Sequence, residues 1–119
     1  MARRSRKGAQ FSALKSASAS TGGSGDLGVE ALVLRARTSS RRGDARKAFL
    51  LLERACCLAS EDARLWALFA VQCQRMGKMD DAARAYRQAI WLRERSRDER
   101  RAAVLERLLS ELRRELPAA

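Results

Sequence analysis

The feature of this sequence that most constrains its fold is an internal repeat with a period of 34 residues. Shifting the chain by 34 positions, with no gap, superposes seven identical pairs: Leu34/Leu68, Ala36/Ala70, Arg41/Arg75, Gly43/Gly77, Ala48/Ala82, Ala55/Ala89 and Leu58/Leu92. Self-similarity at a period of 20 to 50 residues is typical of repeat proteins, in which neighbouring units bury a shared core. The repeat therefore predicts that one structural unit occurs twice between residues 29 and 96.

Each unit is predicted to contain two helices. The chain is 46% hydrophobic but only 5% aromatic, with a single proline, and strand-forming residues never gather into alternating runs. Gly43 and Gly77 are predicted to form the turn inside each unit, because glycine adopts the left-handed conformation without strain. Ser60 is predicted to cap the third helix. The expected helices run from Gly28 to Ser40, Asp44 to Ala59, Glu61 to Met76 and Asp80 to Arg95.

A fifth helix is predicted over residues 97–116. Ser96-Arg97-Asp98-Glu99 matches a capping box, and Pro117 follows the expected end. Repeat arrays need a terminal element that covers their last apolar face, and this helix fits that task. Self-association through Leu105, Leu109, Leu112 and Leu116, giving a weak homodimer, is the alternative use of its apolar stripe. The stripe comprises Val104, Leu105, Leu108, Leu109, Leu112 and Leu116.

The apolar residues of the repeats are predicted to form a core in which small residues let helices approach and large ones fill the gaps. The small set is Ala36, Ala48, Ala55, Ala70, Ala82 and Ala89. The large set is Leu52, Leu58, Trp66, Phe69 and Tyr86. For Trp91 the sequence allows two positions, in the core or on an outer face, where a tryptophan could anchor a partner.

Residues 1–26 differ in composition from the rest and are expected to form a disordered basic tail. The segment 16–25 is rich in serine, glycine and alanine, as flexible tethers are. Phe11 and Leu14 are the only large apolar residues of the tail after Met1, and a short docking helix around them is a second interpretation. The composition also matches an organellar transit peptide. The folded domain is expected to span residues 27–119.

The charge distribution and the residue types limit the classes of function expected for this chain. The net charge is +11, but outside the tail the two signs alternate along the helices, as on solvated helix faces. The chain has no histidine, and its cysteines, Cys56, Cys57 and Cys73, lack the spacing of a metal site. We expect reduced cysteines in a cytoplasmic protein with no cofactor, no metal and no membrane span, and we do not expect an enzyme.

The second repeat, residues 63–96, resembles the tetratricopeptide repeat (TPR) family. Trp66, Phe69, Ala70 and Cys73 occupy the family's characteristic first-helix positions, and Ala82, Tyr86 and Ala89 those of its second helix. The first repeat, residues 29–62, departs from the pattern at Arg35 and Ser39, which fits an N-terminal repeat with a solvent-facing side. The resemblance implies an all-α solenoid of two helix-turn-helix repeats closed by the fifth helix.

The resemblance also implies a function, because TPR arrays bind a peptide or a helix on the concave side formed by their first helices. The corresponding residues here are Glu30, Val33, Arg37, Arg64, Ala67, Leu68, Val71, Arg101 and Leu105. The family's clamp for acidic chaperone C-termini is not reproduced, since the chain contains no asparagine. We therefore expect an adaptor or co-chaperone-like scaffold that binds an apolar segment or an acidic helix. A nucleic-acid-associated protein using the basic tail and the arginine-rich helices is the alternative.

Overall fold

The structure, a computed structural model, describes residues 28–115 as five α-helices, with no strand in that part of the chain. The prediction of an all-helical protein is confirmed. Each helix starts within two residues of its predicted position. The helices are α1 (Val29–Arg41), α2 (Ala45–Leu58), α3 (Ala63–Arg75), α4 (Met79–Arg95) and α5 (Glu99–Glu115). The predictions made for residues 1–26, including those for Phe11 and Leu14, lie outside the described residues.

The helices belong to two compact units, which divide between Ala59 and Ser60. In the first unit α1 packs on α2. In the second unit α4 packs on α3 and on α5. Because α4 and α5 are joined by only three residues and pack on each other, they run antiparallel.

Glycine permits the turn inside each unit. Gly43 and Gly77 have φ angles of +83° and +76°, in the left-handed region where a side chain is strained. The helices before and after each glycine begin 34 residues apart in the two units. Equivalent backbone hydrogen bonds close the two turns: Asp44 N–H to Ser39 O at 2.8 Å, and Lys78 N–H to Cys73 O at 2.9 Å.

The turn between α4 and α5 has the same form but lacks the glycine. Arg97 stands in the left-handed region at φ +61°. The next residue, Asp98, donates its backbone N–H to the Arg93 carbonyl at 2.8 Å. A non-glycine residue in this conformation costs roughly 1–2 kcal/mol, so this turn stores strain that the glycine turns avoid.

The two predicted serine caps are wrong, because an aspartate performs the role in each case. Asp62 accepts the Arg64 N–H at 3.0 Å and starts α3, whereas the Ser60 carbonyl accepts the Trp66 indole N–H at 2.8 Å. Asp98 accepts the Arg101 N–H at 3.2 Å at the start of α5. Ser96 instead ends α4, where its hydroxyl donates to the Arg93 carbonyl at 3.0 Å.

The predicted core is confirmed except at one large residue. All six small residues and four of the five large ones are buried, but Leu58 is 44% exposed. Ser39, expected on the solvent side of the first repeat, is buried, whereas Arg35 is exposed. In the second unit the Trp66 and Phe69 rings meet edge to face, with their centroids 6.3 Å apart. All three cysteines are buried and free.

The leucine stripe of α5 contributes to the core of the second unit. Leu105, Leu109 and Leu112 are all buried, and Leu112 is fully enclosed. Val104 is 55% exposed. Leu116 lies beyond the described residues. The three described leucines of the predicted dimer seam, Leu105, Leu109 and Leu112, are therefore not exposed.

Candidate interaction site

The four predicted binding residues on α3 share one helix face. Arg64, Ala67, Leu68 and Val71 follow the spacing i, i+3, i+4, i+7, which places them on one side of a helix. All four are half-buried, whereas the opposite side of α3 is buried. Arg75, eleven residues after Arg64, extends the same face and is exposed. The face thus carries an accessible apolar stripe between two arginines, about 16 Å apart along the helix axis.

The predicted residues on α1 are accessible at two of three positions. Glu30 and Arg37 are exposed, but Val33 is buried, with 2% of its surface accessible. The residue beside it, Leu34, is 62% exposed, the largest value among the large apolar side chains that the structure describes in the first unit. An apolar surface on α1 therefore centres on Leu34 instead of Val33.

Of the two predicted binding residues on α5, one is buried and one is exposed. Leu105 is buried. Arg101 is exposed, but its guanidinium donates to the Asp98 carboxylate at 2.9 Å. This hydrogen bond is the main reason why the pKa of Asp98 lies below its ordinary value. Arg101 therefore stabilises the start of α5.

A concave surface lies between α4 and α5, where a groove of about 420 Å³ opens. The buried Ile90 and Leu109 form its apolar part. Four exposed charged side chains line it as well, Arg87 and Glu94 on α4 and Glu106 and Arg113 on α5. Ser110 and Trp91 complete the lining.

Trp91 is the largest accessible apolar side chain of this groove, at 39% exposure. The Arg95 guanidinium stacks on its ring, 4.8 Å from the ring centroid. Such a cation–π contact restrains the indole. The question left open by the sequence is thus answered: Trp91 lies at the surface and lines a groove.

The charged residues of this groove were not predicted from the sequence. One signal was present: Arg87 and Glu94 are seven residues apart on α4, and Glu106 and Arg113 are seven residues apart on α5 in the opposite order. The two pairs of charges line one groove only if α4 and α5 are antiparallel neighbours, which the sequence alone does not establish.

The described residues supply little for metal chemistry. Between Gly28 and Glu115, no three His, Cys, Asp or Glu side chains are grouped so that they could hold a metal ion. None of the five helices combines the length and the apolar character needed to cross a membrane.

Comparison with known proteins gave no match to the chain among protein-family models, curated proteins or solved structures.

Proposed function

We propose that this chain is a non-catalytic protein-interaction module made of two TPR-type repeats, and that the first helix of each repeat presents a binding face of its own. The ligand is an amphipathic segment, helical or extended, that carries acidic residues beside apolar ones. A scaffold or adaptor role follows from such a surface.

The recurrence of surface residues carries the proposal. Most of the residues that the two repeats share have a structural reason: the alanines are buried and the glycines form the turns. Leu34 and Leu68 are different, since Leu34 is 62% exposed and Leu68 is half-buried. Core packing accounts for only part of this repetition, because each of the two leucines keeps accessible surface.

The repeated arginines support the same interpretation. Arg41 and Arg75 follow the repeated leucines by seven residues, which is two helical turns, and both are exposed. An arginine in the last turn also complements the helix dipole. Together, each first helix offers an accessible leucine and an arginine about 10 Å apart on one face.

The charge of the described region favours an acidic ligand. Five of the 25 basic residues and one of the 14 acidic residues precede Gly28, which leaves a net charge of +7 on residues 28–115. Arg64 and Arg75 lie at the two ends of the apolar stripe of α3. Acidic residues flanking an apolar core in the ligand would meet these arginines, and such pairing speeds association and selects partners.

Selection of peptides from a random display library on the full chain tests the proposal. We expect enrichment of sequences that combine leucine or other large apolar residues with aspartate or glutamate. The double variant Leu68→Asp, Arg75→Glu should weaken binding of the selected peptides about tenfold or more. The control on α5, Val104→Asp with Arg107→Glu, makes the same changes of charge at an exposed apolar residue and an exposed arginine, and should leave affinity within about twofold.

Two results would contradict the proposal. One is a set of selected peptides without acidic or apolar enrichment, and the other is equal loss of binding in both double variants. Salt-sensitive binding of single-stranded RNA or DNA that disappears when residues 1–26 are removed would favour the nucleic-acid alternative instead.

A further inference from the structure

We infer that the turn between α1 and α2 is a cationic site that binds the sugar–phosphate backbone of a nucleic acid, without regard to base sequence. Four cationic side chains occur there within seven consecutive residues, Arg41, Arg42, Arg46 and Lys47. All four are exposed. The site lies outside the α3 face of the proposed function, and it shares only Arg41 with the α1 face.

The cluster is hardly neutralised by the rest of the described structure. Its single carboxylate, Asp44, leaves the segment 41–47 with a net charge of +3. That carboxylate accepts the Lys47 backbone N–H at 3.1 Å and so caps α2. None of the ion pairs within residues 28–115 involves the four cationic side chains. Cationic groups gathered this closely repel one another and create a local potential that attracts anions.

The corresponding turn of the second unit shows that this type of turn does not need these charges. Both turns contain a left-handed glycine and are closed by an equivalent backbone hydrogen bond. The segment 75–81 nevertheless carries no net charge. A shift of 34 residues pairs three of the four cationic residues with uncharged or acidic ones. The pairs are Arg42/Met76, Arg46/Asp80 and Lys47/Asp81.

Two of the cationic residues also oppose the electrostatics of their own helix. Arg46 and Lys47 occupy the second and third positions of α2, where the helix dipole favours acidic residues over basic ones. The second unit follows this preference, since Asp80 and Asp81 lie in the first turn of α4. A local rule broken without a structural gain is typical of functional sites. A bound anion therefore explains the cationic residues of α2 better than folding does.

The composition of the cluster favours a nucleic acid over an acidic protein segment. Between Arg41 and Lys47 the only uncharged residues are Gly43 and Ala45, so the segment offers no large apolar side chain. Protein interfaces usually have an apolar or aromatic centre, whereas a DNA duplex presents about one charge per 1.7 Å of its axis. The arginine guanidinium also matches the geometry of phosphate oxygens. Since no aromatic ring in the segment can stack on a base, its contacts are confined to the backbone.

Replacing Arg46 and Lys47 by the aspartates of the second unit tests the inference. Fluorescence anisotropy of a labelled DNA duplex of about 20 base pairs, titrated with the full chain, gives the affinity at several salt concentrations. We expect the variant Arg46→Asp, Lys47→Asp to bind at least about tenfold more weakly at about 50 mM salt. The slope of log K against log salt should fall by about two, because each phosphate contact contributes about 0.9. The melting temperature should not fall, because aspartates suit the start of a helix.

A matched control separates the cluster from net charge. Arg107→Asp with Arg114→Asp makes the same change in net charge at exposed positions of α5 that are seven residues apart. This control should weaken binding by no more than about threefold and change the salt slope by less than about one. Residues 1–26 are present in every protein compared, so their contribution to binding is common to all of them.

Three results would overturn the inference. The first is a natural chain that does not bind the duplex at about 50 mM salt. The second is an equal loss of affinity in the two double variants. The third is tighter binding of phosphatidylserine-containing vesicles or of polyglutamate than of the duplex at the same salt concentration. None of these results bears on peptide binding by α3, because Arg46 and Lys47 lie on α2.

Discussion

The Tyr86 hydroxyl on α4 donates a hydrogen bond to the Gln74 side-chain oxygen on α3, at 3.0 Å. Tyr86 is otherwise enclosed, with 1% of its surface exposed. The bond satisfies the polar end of the largest fully buried side chain in the described part of the protein. It thereby links the two helices at the centre of the second unit.

Replacing Tyr86 by phenylalanine should remove this bond while preserving the packing of the ring. We expect the free energy of unfolding to fall by about 0.5–1.5 kcal/mol. Urea unfolding followed by tryptophan fluorescence measures it, because both tryptophans, Trp66 and Trp91, belong to the second unit. No change in stability would mean that the bond contributes nothing beyond the contacts of the ring.

Ionisation of the same tyrosine should lower the stability of the fold at alkaline pH. Burial, and secondarily the charge of Glu111, raise the pKa of Tyr86 above its ordinary value of 10.0. The unfolded chain therefore loses the phenolic proton at lower pH than the folded one, so stability is full below pH 10.0 and falls as pH rises toward the raised pKa. The Tyr86→Phe variant should lack this component of the decline above pH 10.0. Parallel declines in both proteins would contradict the assignment.

Arg97 should be replaceable by glycine with a gain in stability. Its positive φ costs about 1–2 kcal/mol in strain, and the greater freedom of glycine in the unfolded chain offsets part of that gain. We expect Arg97→Gly to raise the free energy of unfolding by about 0.5–1 kcal/mol. Gly77→Ala, which introduces the same strain in the other turn of the second unit, should lower it by about 1 kcal/mol or more. Opposite signs of the two changes in the free energy of unfolding are the expected result, and equal signs would contradict it.

Leu112 should matter to the fold far more than its neighbour Val104 on the same helix. Leu112 is fully buried, so Leu112→Ala should cost about 2–5 kcal/mol through the cavity it leaves. Val104 is 55% exposed, and Val104→Ala should change stability by less than about 0.5 kcal/mol. Equal effects in urea unfolding would argue against the packing of α5 on α4.

Asp98 should stabilise the start of α5 in a manner that depends on acidic pH. Its hydrogen bonds to Arg101 hold the pKa of the carboxyl below the ordinary value of 3.8, so the folded chain retains the charged form longer on acidification. That contribution is present above pH 3.8 and is lost as pH falls through the lowered pKa.

Two substitutions at Asp98 separate charge from capping. Asp98→Asn keeps a side-chain acceptor for the helix N-terminus but cannot ionise, so its melting temperature should lack this part of the acid dependence. Asp98→Ala removes both contributions and should melt at the lowest temperature at neutral pH. An alanine variant as stable as the asparagine variant would show that the side-chain cap does not contribute to stability.

The caps illustrate why local reasoning stops short of the final structure. Ser60 and Asp62 are both competent capping residues, and nothing in the local sequence chooses between them. The choice accompanies a side-chain contact at the start of α3, since the Trp66 indole N–H donates to the Ser60 carbonyl. Ser96 and Asp98 present the same ambiguity, and there too the aspartate becomes the cap.

The proposed binding face was predictable only in part. The TPR resemblance implied Arg64, Ala67, Leu68 and Val71, and their spacing places these four residues on one face of α3. Val33 and Leu105 are both buried. Their helices carry apolar residues on more than one face, so helical spacing alone does not tell which of these residues stay accessible. The groove lined by Trp91 escaped prediction because its four charges belong to two helices.

The sequence by itself determined the five helices, the two glycine turns and the alanines at their contacts. These features depend on side-chain spacing and backbone freedom within a few residues, which the order of amino acids specifies directly. Only the tertiary structure decided which apolar side chains remain accessible and how the charges of α4 and α5 align. Accessibility and charge alignment depend on neighbours that are distant in sequence, so they exist only once the helices have packed.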